Sequence, residues 1–354
     1  MLLFFKQEGN LKMSAVRKCD DYQMMKLFYH SLVDKKNIFY IYFTSDLLYW
    51  LDKSLELIPD SVNVVLIGAG LDDNEQVWVR NRAEHPFILL SQYHTDRDIW
   101  EYLFRLNKYN FGWIDVDCFV FEPNLFLEMT KLKQNESANC VWSDKKSGCD
   151  YEFLNTYFLF LNVDCIKKVK ESKVYVSPHG YRDARVKDIR DLKSRTITSK
   201  QKKLLYRIIP KEIYLSSTEE SSSSLLRFDT LQLYQVIADA LGFHLNKIRN
   251  YCGEASAPSY LSNDAIHIGA SVHVLDINFK NQCEVEKGKL LLQFAYHLLA
   301  QNISRLPERY KYRLKAFRYR LQSMGISSGS VESNLVHHLR ENGINENVIL
   351  RLMK

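Results

Sequence analysis

The sequence predicts an α/β protein: a mostly parallel sheet with a helical C-terminal extension. Three observations carry this reading. Four short runs of aliphatic, aromatic and β-branched residues, 37–43 (NIFYIYF), 62–67 (VNVVLI), 87–90 (FILL) and 111–121 (FGWIDVDCFVF), follow one another down the first third of the chain. Helical patterns fill the intervals between them, and strands alternating with helices read as parallel pairs joined by crossovers. Past Lys287 the apolar spacing is helical.

Taken in order, residues 1–36 form a polar, mixed preamble in which Asp20 to Leu32 can make a short amphipathic helix through Met24, Met25, Phe28 and Leu32. After the first strand, Thr44-Ser45-Asp46 supplies N-cap residues for a helix through Leu47, Leu48, Leu51, Leu55 and Ile58. The second strand ends in Gly68-Ala69-Gly70, which lacks the third glycine of G-x-G-x-x-G and runs into LDDNEQ. It reads as a turn, or as a glycine-permitted loop that lets Asp72 or Asp73 approach a nucleotide base or ribose. Thr95 or Asp96 caps a helix carrying Ile99, Trp100, Leu103, Phe104 and Leu106, which leads into the fourth strand. In a parallel sheet ligands lie beyond the carboxyl ends of the strands, so residues 44–46, 68–73, 91–92 and 115–117 should meet on one rim.

Further on, 143–150 reads as a loop, and 153–163 (FLNTYFLFLNV) as one strongly apolar strand. The basic stretch 176–211 reads as a solvated surface, with a functional alternative as a loop closing over a diphosphate. Phe228-Asp229-Thr230 opens a helix through Leu231, Leu233, Tyr234, Ile237, Ala238 and Leu241, stopped by Gly242; Asp229 stands where an N-cap belongs. Residues 264–274 (DAIHIGASVHV) are strand-like, with His267 on the apolar run and His273 as a reserve on the same side.

Within the fourth run, Asp115 and Asp117 interrupt an otherwise apolar segment. On an extended backbone residues two apart face the same side, so both carboxylates can point at one place. Two anions held so close repel, and a divalent cation between them is the simplest remedy. Hard ions such as Mg²⁺ and Mn²⁺ prefer such oxygen ligands and share their shell with substrate phosphates.

Strand, D-x-D, apolar segment and Pro123 together resemble the metal and sugar-nucleotide site of the A-type-fold glycosyltransferases. The resemblance runs over about 37–274 in the order of its parts. It implies a Rossmann-like, mostly parallel sheet of the glycosyltransferase A type and a metal-dependent transfer of sugar from a nucleotide-sugar donor to a glycan or lipid-linked acceptor. The setting it implies is surface polysaccharide or glycolipid synthesis. Mn²⁺ or Mg²⁺ would be held by Asp115, Asp117 and the late His267. Donor contacts would come from Thr44, Ser45, Asp72, Asp73 and Asp115, and Asp229 would be the catalytic base of an inverting enzyme. The acid that usually precedes that base is replaced by Phe228. The resemblance leaves inversion or retention open.

At 354 residues the chain suffices for one large or two modest domains. We expect a preamble (1–36), a catalytic domain (37–284) and a helical extension (285–354). Seven scattered cysteines without C-x-x-C indicate neither a zinc site nor a disulfide framework. With no apolar run of about 20 residues, and an opening MLLFF too short for a signal peptide, the expectation is a cytoplasmic protein. The net charge of +6 is concentrated partly in Arg305–Arg320, where Arg305, Arg309, Lys311, Arg313, Lys315, Arg318 and Arg320 interleave with aromatics. This suits a peripheral contact with an anionic membrane surface on the inner face of the cell membrane. Nucleic acid is not an expected partner. Two other classes are a metal-dependent phosphohydrolase or nucleotidyltransferase, which would recruit Asp46, Asp72 and Asp73, and a non-catalytic nucleic-acid-binding protein using the basic segments.

Overall fold

A computed structural model describes residues 20–146, 149–183, 194–216, 227–254, 260–269 and 282–354. The chain begins with α1 (Asp21–Ser31), β1 (Ile38–Thr44), α2 (Leu48–Leu57), β2 (Val64–Ala69), α3 (Asp73–Arg82), β3 (Phe87–Leu90), α4 (Asp96–Leu106) and β4 (Phe111–Asp115). Next come β5 (Cys118–Val120), α5 (Asn124–Thr130), β6 (Glu136–Lys145), β7 (Glu152–Leu154), β8 (Phe158–Leu161) and α6 (Val163–Glu171). A small sheet of β9 (Tyr181–Arg182), β10 (Arg195–Thr196) and β11 (Arg227–Phe228) surrounds α7 (Ser199–Ile208) and α8 (Lys211–Ser216) in sequence. The chain continues with α9 (Gln232–Ala240), β12 (His244–Glu254), β13 (Tyr260–Leu261) and β14 (Ala265–His267). The C-terminal helices are α10 (Gln282–Asn302), α11 (Arg309–Ser323), α12 (Val331–Glu341) and α13 (Glu346–Met353).

The main sheet has the order β12-β6-β8-β4-β1-β2-β3, with β7 beside β6. β3, β2, β1 and β4 are mutually parallel, β8 is antiparallel to both β4 and β6, and β12 is parallel to β6. The sheet is therefore mostly parallel, as the alternation of strands and helices predicts. Its two faces are read directly from β1. Phe39, Ile41 and Phe43 enter one core layer with α2 and the C-terminal helices, while Ile38 and Tyr40 enter the other with α1, α4, α6 and α9. Register also explains Gly112. It lies opposite Phe39, and a Cβ at that position would stand 2.2 Å from Phe39 Cδ1.

The helical extension shares the first layer. Phe294, Leu298, Tyr310, Leu335 and Leu352 are fully buried there, and each such aliphatic or aromatic side chain contributes about 1.5–3 kcal/mol over an exposed one. It is part of the core.

Several expectations are corrected. The single strand over 153–163 is two, β7 and β8, because the Asn155 side chain accepts from Tyr157 N–H (3.1 Å) and turns the chain between them. Asn162 then caps α6 through the backbone N–H groups of Asp164 and Cys165. Ser143 to Lys145, expected in a loop, ends the buried strand β6. The described parts of the basic stretch are folded: Thr198 caps α7 in a reciprocal box with Gln201, and Leu205 and Ile209 are buried. Asp229 does not cap the helix that follows. α9 starts at Gln232, behind Leu231 in a left-handed conformation, and the Asp229 carboxylate accepts instead from the adjacent Thr230 N–H (2.8 Å). His273 lies outside the described residues.

Candidate active site

The four parallel strands finish level. Thr44 stands opposite Ala69, Ala69 opposite Leu90, and Tyr42 opposite Asp115. Their carboxyl ends form the single rim expected for a ligand site.

Asp115 is the last residue of β4, and Val116-Asp117 is a turn into β5. The carboxylates thus converge through a turn, and not through alternation along one continuous strand. Asp115 is held on both sides: its N–H donates to the Tyr157 carbonyl (2.9 Å), and Trp113 Nε1–H donates to its Oδ1 (2.6 Å). The third member arrives by strand pairing. β14 runs antiparallel to β5 with His267 opposite Cys118, and Ile268 N–H donates to the Asp117 carbonyl (3.2 Å). His267 Nε2 is consequently 3.3 Å from Asp117 Oδ1 and 3.5 Å from Asp115 Oδ2. Its ring stacks on Tyr157, with centroids 3.4 Å apart and planes 18° from parallel.

The electrostatics follow. Burial alone would lower the His267 pKa, but Asp117 and Asp115 outweigh it and raise the imidazole to about 9. Burial pushes the Asp115 carboxyl up, against the pull of His267 and Trp113. One ligand atom from each of Asp115, Asp117 and His267 lies within 4.8 Å of the others. Two carboxylate oxygens and an imidazole nitrogen gathered so closely fit a divalent cation of the Mn²⁺ or Mg²⁺ kind. The cleft in front of them has a volume of about 200 Å³, and its walls include Thr44, Leu47, Tyr93, Asp96, Trp100 and Tyr157.

Other expected rim residues are turned away from this cleft. Ser45 Oγ donates to Glu75 Oε2 (2.8 Å) and accepts from Arg309 (3.0 Å). Asp72 caps α3 and pairs with Arg309; Asp73 is exposed in the first turn of that helix. Residues 44–46 do not cap α2, whose N-cap is Leu47 without a side-chain bond. Asp46 instead takes φ 70°, a left-handed backbone that non-glycine residues seldom adopt, and its carboxylate pairs with both Arg309 and Arg313 of α11. Beneath it, the fully buried Glu75 accepts from Ser45 Oγ, Asp46 N–H (2.8 Å), Asp72 N–H (3.1 Å) and Tyr310 Oη (2.7 Å). Gly68 and Ala69 belong to β2 rather than to a loop. Two arginines of the basic segment are therefore committed to the sheet's own rim.

Asp229 is exposed and lies 3.3 Å from Arg97. Arg97 follows Asp96, a residue of the cleft wall, in the first turn of α4. Sequence reasoning passed over Asp96, assigned only as an alternative cap, and over Asp144. The latter is a buried carboxylate that accepts from Tyr260 Oη (2.6 Å) and Asn155 Nδ2 (3.0 Å) behind the Tyr157–His267 stack. Its signal was hidden because the strand that carries it was not recognised.

Residues 16–166 match the family described as the StrH glycosyltransferase N-terminal domain. This stretch resembles a glycosyltransferase domain. It contains Asp115 and Asp117 and ends well before His267. Over 106 residues the chain is 31% identical to dTDP-dihydrostreptose--streptidine-6-phosphate dihydrostreptosyltransferase of Streptomyces griseus, covering 29% of this chain and 27% of that relative. The chain thus matches about a quarter of that relative's length. Among solved structures, glycosyltransferase GlyE of Streptococcus pneumoniae overlaps 61% of this chain and 55% of its own at 13% identity and a TM-score of 0.27. Glucosyl-3-phosphoglycerate synthase of Mycobacterium tuberculosis, in complex with Mn²⁺, UDP and phosphoglyceric acid, overlaps 42% and 62% at 7% identity and a TM-score of 0.28. Overlaps this slight carry no weight for fold or function.

Proposed function

We propose that this protein is a metal-dependent glycosyltransferase of the A-type fold that moves a sugar from a nucleotide-sugar donor to a glycan or lipid-linked acceptor. The observation that supports it most is the convergence of Asp115, Asp117 and His267 at the rim of a parallel sheet, two of them within the stretch that resembles a glycosyltransferase domain. Asp115, Asp117 and His267 would hold Mn²⁺ or Mg²⁺, which supplies positive charge to the departing diphosphate when bound. Thr44 and the cleft walls orient the donor. In the transfer, the bond from the sugar's anomeric carbon to phosphate oxygen breaks, a bond from that carbon to the acceptor oxygen forms, and the nucleoside diphosphate leaves with its electron pair. Asp229 would take the acceptor's hydroxyl proton if the anomeric centre inverts; with retention it would position the acceptor.

Asp46 and Asp72, which a phosphohydrolase would recruit as further metal ligands, are tied to Arg309 and Arg313. That favours the transfer reading. No helix among the described residues is long and apolar enough to cross a membrane. A peripheral contact with an anionic inner membrane surface, in polysaccharide or glycolipid synthesis, is the proposed setting. It is supported by the outer face of α11, where Lys311, Lys315 and Arg318 and the rings of Tyr312 and Tyr319 are exposed. The decisive experiment incubates the chain with Mn²⁺ and a panel of sugar nucleotides, dTDP-activated sugars included. Thermal stabilisation and slow release of nucleoside diphosphate are expected for one of them. Neither effect with any member would overturn the proposal.

A further inference from the structure

Asp21 belongs to α1, the helix that the sequence presents as a preamble, yet its carboxylate reaches the rim of the sheet. It accepts from Ser91 N–H (3.1 Å), Ser91 Oγ (2.9 Å) and Gln92 N–H (3.3 Å), and it lies 2.8 Å from His94 Nε2. These partners all belong to the loop that leaves β3, on either side of Tyr93, and the Asp21 side chain is nearly inaccessible, at 5%. One carboxylate gathers donors from three residues of this short loop, and charge-assisted bonds of this kind are the strong ones.

The loop is also gripped from the sheet. Tyr42 Oη donates to the His94 carbonyl, and the His94 ring packs edge-on against Tyr102, with centroids 5.6 Å apart. Gly70, at φ 66°, brings the turn after β2 against it, so that a Cβ there would lie 3.4 Å from Tyr93 Cβ. Between these anchors stands Tyr93, a residue of the cleft wall that remains 62% exposed. An aromatic residue left that open on a loop so heavily fastened is unusual for a core-forming side chain.

We infer that Asp21 is a positioning residue for ligand binding: it holds the 91–95 loop so that the Tyr93 ring stays at the cleft mouth and meets a planar aromatic group, the base of a nucleoside diphosphate. This deepens, and rests on, the proposed function. Base–aromatic stacking is tolerant of base identity because every base offers a π face. Asp21 acts through the loop and touches no ligand.

The test measures equilibrium binding to the full chain with Mn²⁺, using UDP, dTDP and GDP, and pyrophosphate as a control without a base. Tyr93→Ala is expected to weaken the best nucleoside diphosphate about 5- to 150-fold, and Tyr93→Phe to restore it. Asp21→Asn should weaken the same nucleotide in the same direction, and both variants should bind pyrophosphate as wild type does. A merely structural role for Asp21 would instead reduce nucleotide and pyrophosphate binding alike, and that outcome overturns the inference. So does wild-type nucleotide affinity in Tyr93→Ala or Asp21→Asn, provided Asp117→Asn has lost it; the proposed function then stands alone. Wild type that binds no nucleoside diphosphate overturns both. Should Asp21→Asn not fold, His94→Phe, which keeps a ring against Tyr102 but has no nitrogen to reach Asp21, takes its place with the same expectations.

Discussion

The rings of Tyr157 and His267 lie face to face, 3.4 Å apart and 18° from parallel. The stack fixes the rotation of the imidazole, and with it the direction of Nε2 towards Asp115 and Asp117. Groups that orient a metal-binding histidine typically change affinity about 10- to 100-fold when removed. We therefore expect Tyr157→Ala to weaken Mn²⁺ binding on that scale and Tyr157→Phe, which keeps the ring, to leave it nearly unchanged. Calorimetric titration of both variants checks this; equal affinity in Tyr157→Ala would mean that the stack is packing and nothing more.

Asp117 is buried and its carboxylate is shared with His267. Asp117→Asn preserves shape, and without metal it exchanges the attraction to His267 for relief of the repulsion from Asp115, so the chain should remain folded. Transfer and Mn²⁺-dependent stabilisation should both vanish. Near-normal rates at saturating Mn²⁺ would sink the metal-site proposal.

Arg309 joins α11 to Asp46 and Asp72 at the ends of β1 and β2. Hydrogen bonds to charged groups contribute about 1.5–3 kcal/mol, and Arg309→Ala should destabilise by an amount of that order in urea unfolding. The pH dependence has a definite sign. Burial would raise the Asp72 carboxyl, but the Glu75 N–H and Arg309 outweigh it and hold its pKa below the ordinary value. A depressed folded pKa stabilises above the unfolded value, about 3.9, and the contribution is lost as pH falls through the folded one. The stability gap between wild type and Arg309→Ala should accordingly narrow below about pH 4. A gap that stayed constant from neutrality into acid would contradict the assignment.

Asp229 does not cap a helix, so its substitution isolates a chemical role. Asp229→Asn should leave stability almost unchanged and donor affinity intact, while turnover falls about 10²- to 10⁴-fold if Asp229 is the base. Parallel measurement of melting, donor binding and rate in this variant decides the matter. Unaltered turnover would leave the base unassigned.

The outer face of α11 makes a separate prediction. Association with anionic vesicles should weaken as salt rises, since the Debye length contracts to about 8 Å near physiological ionic strength. Lys315→Glu with Arg318→Glu should abolish it without disturbing Arg309 or Arg313. Equal binding to neutral vesicles would remove the membrane from the proposal.

The sequence by itself determined the alternation of strands and helices from β1 to β4, because buried parallel strands must be continuously apolar and their connecting helices must carry an apolar stripe. It also singled out Asp115 and Asp117, since charge inside such a run has few explanations. Strands β6 and β12 were not legible: Asn139 and Asp144 in the first, and His244, Asn246 and Lys247 in the second, interrupt any apolar pattern, and their polar groups find partners only once the sheet is assembled. The role of residues 309–313 was likewise undetermined. A run of arginines and tyrosines is the same string whether it faces a membrane or a buried carboxylate, and only the packing of α11 against Glu75 and Asp46 assigns it. Tertiary structure alone brought His267 within 3.3 Å of Asp117, because strand pairing between β14 and β5 acts across 150 residues that no local periodicity can span.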